Sequence, residues 1–225
     1  MAQSWKVDGL IVLGLDTQES EYLLGALKIP LVFLDCFCQD PACVNVGVDD
    51  ESGGYQITRH LLEKGHRSIC FLADRPDPID VDGARLRGHI RALREWGMKF
   101  RSDHLVVLPR GREQRMRVLE GLWGGRTSFT ALLFTSDYYA SDAMRFFQQR
   151  GVRVPQDLSI TGFDDNYFSQ IVTPGITTIR QDVSRKGTLA VEKLVGILAG
   201  DTAQATSSIL PMQLVERDSV LDRND

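Results

Sequence analysis

The sequence predicts an α/β protein built on parallel sheets, and three observations carry that prediction. Short aliphatic runs alternate with longer stretches of helical spacing, the rhythm of β-α-β units. The runs are apolar at nearly every position rather than at alternate ones, as strands must be when both faces of their sheet are covered. A glycine also follows four of the helical stretches, at Gly65, Gly97, Gly151 and Gly200, where a left-handed residue ends a helix.

The elements follow in order. Strands are expected over Gly9–Leu15, Leu31–Leu34, Val44–Val48, Ser68–Ala73, Leu105–Leu108, Ala131–Thr135 and Ser159–Phe163. Helices are expected over Ser52–Lys64, Ala84–Trp96, Tyr138–Arg150 and Val183–Ala199. The first aligns Tyr55, Thr58, Leu61 and Leu62; the second Leu86, Ile90 and Leu93; the third Ala140, Ala143, Met144 and Phe147; the last Val183, Ala190, Val191, Leu194 and Leu198. In sheets of this kind ligands bind beyond the carboxyl ends of the strands, so residues just after strands are the site candidates.

A chain of 225 residues allows one large domain or two small ones. Its 43% hydrophobic and 25% charged residues are those of an ordinary globular protein. The net charge of −4 speaks against DNA binding by this chain itself, because each phosphate contact needs a Lys or Arg. No apolar run approaches the roughly 20 residues that cross a bilayer, so no membrane partner is expected. Residues Met1 to Lys6 carry no apolar stretch of a secretory signal. Cys36, Cys38 and Cys43 crowd together, with Cys70 apart. No Cys/His pair stands at zinc-finger distance from them, so they read as reduced cytoplasmic thiols. The four histidines, His60, His66, His89 and His104, are scattered and read as surface or capping residues. Phosphate loop, H-E-x-x-H and Ser-His-Asp ordering are missing, so neither an enzyme nor a cofactor is expected.

Five stretches in order resemble the effector domain of the lactose-repressor/galactose-repressor family. They are Val7-Asp8-Gly9-Leu10-Ile11; Val48 to Gly54 running into His60-Leu61 and Gly65-His66-Arg67; Arg85-Leu86-Arg87-Gly88; Thr135-Ser136-Asp137 with Ala143-Met144; and Val154 to Asp165 with Thr177-Thr178-Ile179. The resemblance implies two Rossmann-like lobes with parallel sheets and a cleft between them, the periplasmic-binding-protein-like type I fold. It implies one lobe from residues 1–64 and 181–209 and another from residues 65–180 and 210–225. It also implies a small sugar-like or related metabolite as effector and a homodimer as the working unit. In the family a DNA-binding headpiece and two β-α units precede the strand that here starts at Val7. The expectation is therefore a first lobe that is incomplete, with DNA reached only through a headpiece missing from this chain. Gly9–Leu15 would then become an edge strand without Lys, Pro or a bulge to protect it.

The resemblance selects five ligand-binding candidates. Arg85 offers a rigid fork of donors for hydroxyls or a carboxylate, against the alternative of a solvated helix-start arginine. Asp164 follows a strand directly and accepts from vicinal hydroxyls or ring N–H groups; Asp165 beside it reads as structural. Ser136 stands where many relatives place Asn, and Asp137 is as well explained by capping the next helix. Asp49 precedes Gly53 and Gly54, a pair that equally suits close packing. Many relatives carry an aromatic ring after the strand that here is Leu105–Leu108, where this chain has Pro109-Arg110-Gly111-Arg112. Those arginines could face an anionic effector. The alternative reading is a solute-binding protein of the same fold serving a transporter, which the missing export signal and clustered thiols disfavour.

Overall fold

The computed structural model describes residues 7–15, 17–35, 40, 43–124 and 129–224. The chain divides into two compact units, one of Met1–Asp49, Ile79–Val81 and Asp182–Pro211, the other of Asp50–Pro78, Asp82–Gln181 and Met212–Asp225.

The first unit is a parallel sheet of strands β1 (Leu10–Leu13), β2 (Leu31–Leu34), β3 (Val44–Val48) and β9 (Ser208–Leu210), in that spatial order among the described residues. Period-two alternation sends Leu31 and Phe33 of β2 to one face and Val32 to the other. Helix α1 (Thr17–Ala26) covers the first face through Leu23 and Leu24, and α7 (Val183–Leu198) covers the second through Ala190 and Leu194. Strand β1 stands at the end of the sheet order and pairs with β2 alone among the described residues, and Leu13 is 73% exposed.

The second unit carries a parallel sheet in the order β5 (Leu105–Val107), β4 (Ile69–Ala73), β6 (Ala131–Phe134), β7 (Ser159–Thr161). Every residue of β4 and β6 is buried, as the unbroken apolar runs require. Helix α5 (Asp137–Gln148) lays Ala140, Ala143, Met144 and Phe147 on one face, with Leu119 of α4 (Arg112–Gly124) beside them. Helices α2 (Asp50–Glu63) and α3 (Val81–Glu95) also belong here, with short α6 (Tyr167–Ile171). A two-stranded antiparallel ribbon of β8 (Thr178–Arg180) and β10 (Gln213–Val215) also belongs to this unit.

The four glycine stops hold: Gly65, Gly97, Gly151 and Gly200 take φ of +82°, +70°, +81° and +86°. The alternation also left elements unnamed. Helix α1 has ten residues and little apolar surface beyond Leu23 and Leu24, and α4 is interrupted by charge at five positions, so neither shows a clean stripe. Strands β8, β9 and β10 have three residues each, too few to register as a period.

Candidate functional site

At the carboxyl ends of β6 and β7, the second unit gathers its buried charge. Arg85 sits in the second turn of α3 and is only 6% exposed. Its Nε donates to Asp50 Oδ1 at 2.8 Å, its Nη1 donates to the Thr135 carbonyl at 2.6 Å, and its Nη2 lies 3.8 Å from Asp164 Oδ1. The guanidinium lies over the ring of Phe163 at 3.7 Å from the centroid. Burial alone would lower this group; the carboxylates of Asp50, Asp164 and Asp82 outweigh it and hold the arginine above its ordinary value.

Two glycines explain how so large a side chain is placed here. A Cβ on Gly54 would stand 2.0 Å from the Arg85 carbonyl oxygen, and one on Gly88 would stand 2.0 Å from the Glu51 carbonyl oxygen. Helices α2 and α3 therefore cross backbone against backbone, which brings Asp50 of one onto Arg85 of the other. Gly53 leaves room for the Phe163 ring, which a Cβ would meet at 2.5 Å.

Asp164 follows β7 at φ +107°, and Asp165 follows it at φ +54°. Both conformations are uncommon for a residue with a side chain and together make a strained turn. The Asp164 carboxylate, about a quarter exposed, accepts from Gln181 Nε2 at 2.5 Å, and its amide donates to the Ile179 carbonyl at 2.8 Å. Asp165 points the other way. Its side chain is 4% exposed, with Oδ2 accepting from Arg180 Nε at 2.6 Å and Oδ1 accepting from Arg217 Nη2.

Ser136 is the N-cap of α5, its hydroxyl accepting from the Tyr138 amide at 3.3 Å. Asp137 is the first helical residue and wholly buried; it accepts from Thr178 Oγ1 at 2.6 Å and from the Asn166 amide at 2.9 Å. Burial pushes its carboxyl up to about 7 against those two hydrogen bonds, with Asp164 and Asp165 adding to the rise. Asp82 accepts from the amides of Asp74 and Arg75, tying the loop after β4 to α3. Burial raises its carboxyl, with Arg85 opposing.

Four of the five candidates thus lie in this unit: Arg85 beside Asp164, Ser136 and Asp137 at the start of α5. Asp49 lies in the other unit, exposed at the end of β3, with its amide donating to the Leu210 carbonyl at 3.1 Å. Arg110 and Arg112 both face carboxylates, Arg110 Nε at 2.8 Å from Asp74 and Arg112 Nε at 3.8 Å from Asp142. Cys43 and Cys70 are buried free thiols, and burial pushes Cys70 up to about 12; Cys36 and Cys38 fall outside the described residues. No helix among the described residues is long and apolar enough to cross a membrane.

Residues 58–220 match the periplasmic binding protein-like domain family. The chain belongs to that family. Its relatives include the HTH-type transcriptional repressor PurR of Edwardsiella ictaluri, 31% identical over 96% of this chain and 64% of that protein. The HTH-type transcriptional regulator RegA of Clostridium saccharobutylicum is 26% identical over 96% of this chain and 65% of that protein. Among solved structures, a transcriptional regulator CelR–cellobiose complex superposes with a TM-score of 0.86 at 25% identity over 95% of this chain and 66% of that one. A dimeric Lac repressor superposes with a TM-score of 0.86 at 28% identity over 99% of this chain and 81% of that one. The kinship that the five motifs implied is therefore found, and the chain spans just under two thirds of the length of these curated relatives.

In this periplasmic-binding-protein-like chain, four residues around the candidates escaped the sequence reading. Asp50, Phe163 and Gln181 surround Arg85 and Asp164, and Thr135 receives Arg85 through a backbone carbonyl. Asp50 was legible in principle, since an acid at the first position of a helix beginning D-E-S-G-G is well placed to receive an arginine from a helix packed across the glycines. The Thr135 carbonyl left no side-chain signal to find.

Proposed function

We propose that this chain is the small-molecule-sensing part of a repressor-type transcription regulator, with its effector contacted by Arg85, Asp164 and Ser136. The observation that carries the reading is the Asp164 carboxylate, held at a strand's carboxyl end beside a buried arginine whose charge is already matched by Asp50. Such a pair offers acceptor oxygens without net positive charge. It favours a neutral ligand rich in hydroxyl or N–H donors, a sugar or a related metabolite, over an anion. The paired state of Arg110 and Arg112 favours the same class.

The relatives' names support regulation rather than catalysis, and the CelR–cellobiose complex supports a sugar-like effector. Working as a homodimer, and reaching DNA through a helix-turn-helix of the full-length protein in the cytoplasm, are part of the same proposal. Asp49 is a contact of second rank, and Asp137, bonded to Thr178 and the Asn166 amide, supports the start of α5.

A thermal-shift screen of neutral mono- and disaccharides, cellobiose included, against sugar acids tests the reading. A neutral sugar is expected to raise the melting temperature, with no response in Asp164→Ala. A hit that stabilises wild type, Arg85→Met and Asp164→Ala equally would remove these residues from the site.

A further inference from the structure

The chain's last segment reaches the candidate site without contributing to it directly. Arg217 follows β10 and its Nη2 donates to Asp165 Oδ1, while its Nη1 donates to the Ile176 carbonyl at 2.8 Å. Its backbone is fixed as well: the amide donates to Thr177 Oγ1 at 2.9 Å, and that hydroxyl donates to the Arg217 carbonyl at 3.1 Å. Arg180 holds the other oxygen of Asp165. One carboxylate is thus gripped by two arginines, Arg180 of β8 and Arg217 just after β10, next door to a residue in a strained conformation.

A turn with two consecutive positive-φ aspartates does not persist on its own, since each such residue costs about 1–3 kcal/mol. Something must over-determine it. Asp164 is anchored to residues 179 and 181 and lies beside Arg85. The Asp165 grip, to which Ser169 Oγ also donates at 3.3 Å, is a second and separate fixture of the turn. We propose that Arg217, assisted by Arg180, is a positioning residue: by clamping Asp165 it holds the Asp164 carboxylate in its presenting conformation. This rests on the reading of Asp164 as a ligand contact, but the clamp itself is testable without a ligand.

The experiment is amide hydrogen exchange on the full chain, comparing wild type with Arg217→Met, Arg217→Lys and Arg180→Met. Arg217→Met is expected to speed exchange of the Asp164 amide at least about tenfold while amides of Phe71 to Ala73 in β4 keep their protection. Arg217→Lys, retaining charge but not the fork, is expected to recover part of it. A purely structural role would loosen all these amides together. Should Arg217→Met fail to fold, Arg180→Met, whose side chain is half exposed, reports on the same clamp. Unchanged Asp164 exchange in a folded Arg217→Met, or in Arg180→Met, overturns the proposal. Cellobiose titrations of the same variants separate the two claims. Faster Asp164 exchange with undiminished affinity supports the clamp and counts instead against Asp164 as a ligand contact.

Discussion

At φ +107°, Asp164 occupies backbone territory that is open to glycine and costly to a residue with a Cβ. Two substitutions separate that cost from the value of the carboxylate. Asp164→Ala and Asp164→Gly both delete the acceptor for Gln181 and the neighbour of Arg85, but only glycine relieves the backbone. Asp164→Gly is expected to be more stable than Asp164→Ala by about 1–2 kcal/mol in chemical denaturation. Both are expected to weaken effector binding roughly 10- to 100-fold, the loss of one charge-assisted hydrogen bond or two. Equal stability of the two variants would show that the turn is unstrained. Strain of this kind clusters at positions held for function, which is consistent with the proposed role of Asp164. Arg85 and Asp164 were selected by the family resemblance, and the parallel-sheet rule agreed in placing them after strands; the structure brings the two side by side. Their partners Asp50 and Gln181 were not legible in the sequence, since each comes from a remote stretch of chain and only the helix crossing or the β8 pairing brings it near.

Helix packing decides whether Arg85 can be where it is. Gly54→Ala would drive a methyl carbon into the Arg85 carbonyl; that carbon has no rotamer to change and the atoms it meets are backbone, so no side-chain movement relieves the clash. The expected cost is about 2–3 kcal/mol, or roughly 5–10 °C in melting temperature for a chain of this size. Gly187→Ala is the control. It lies in α7 with nothing within 4 Å of the added carbon, and is expected to stabilise by about 0.5–1 kcal/mol through helix propensity alone. If both substitutions have the same effect, the close helix crossing is not what the glycines are for. At this scale the buried strands and long helices could be read from apolar runs and glycine stops. The three-residue strands and the weakly amphipathic α1 and α4 could not, because their form is imposed by neighbours rather than by their own pattern.

For the molecule as a whole, buried titratable groups shape the pH response, with His60 lowered by burial in the same sense as His66 and His89 and Asp82 raised in the same sense as Asp137. Burial lowers His66 to about 4, against its bond to the Leu221 carbonyl, and lowers His89 to about 3. His89 is locked neutral: Thr58 Oγ1 donates to the Gly54 carbonyl and so accepts from Nδ1, which leaves Nε2 buried with no partner for a second proton. The unfolded chain takes up protons at both histidines from about pH 6.5 downward, while the fold does not. Each therefore removes about 1.4 kcal/mol of stability per pH unit between roughly 6.5 and 4. Asp137 acts in the opposite sense. Its folded value near 7 lies above the unfolded one, so the fold gains stability as pH falls from about 7 towards 4. His66, His89 and Asp137 taken together place the maximum near pH 7 and contribute a fall of about 1.4 kcal/mol per unit between roughly pH 6 and 4.5. In Asp137→Asn that acid slope should approach about 2.7 kcal/mol per unit, measured by urea denaturation across the range. A wild-type profile that is flat down to pH 4.5 would mean the histidines are hydrated.

The central claim is that Asp164 and Arg85 touch the effector. The most direct test is an NMR titration with a sugar that stabilises the chain, following the Asp164 carboxyl carbon and the Arg85 guanidinium nitrogens. Both signals are expected to move and to saturate with the affinity found by calorimetry. If the ligand saturates while both stay fixed and other residues shift, the effector binds elsewhere and the assignment is wrong.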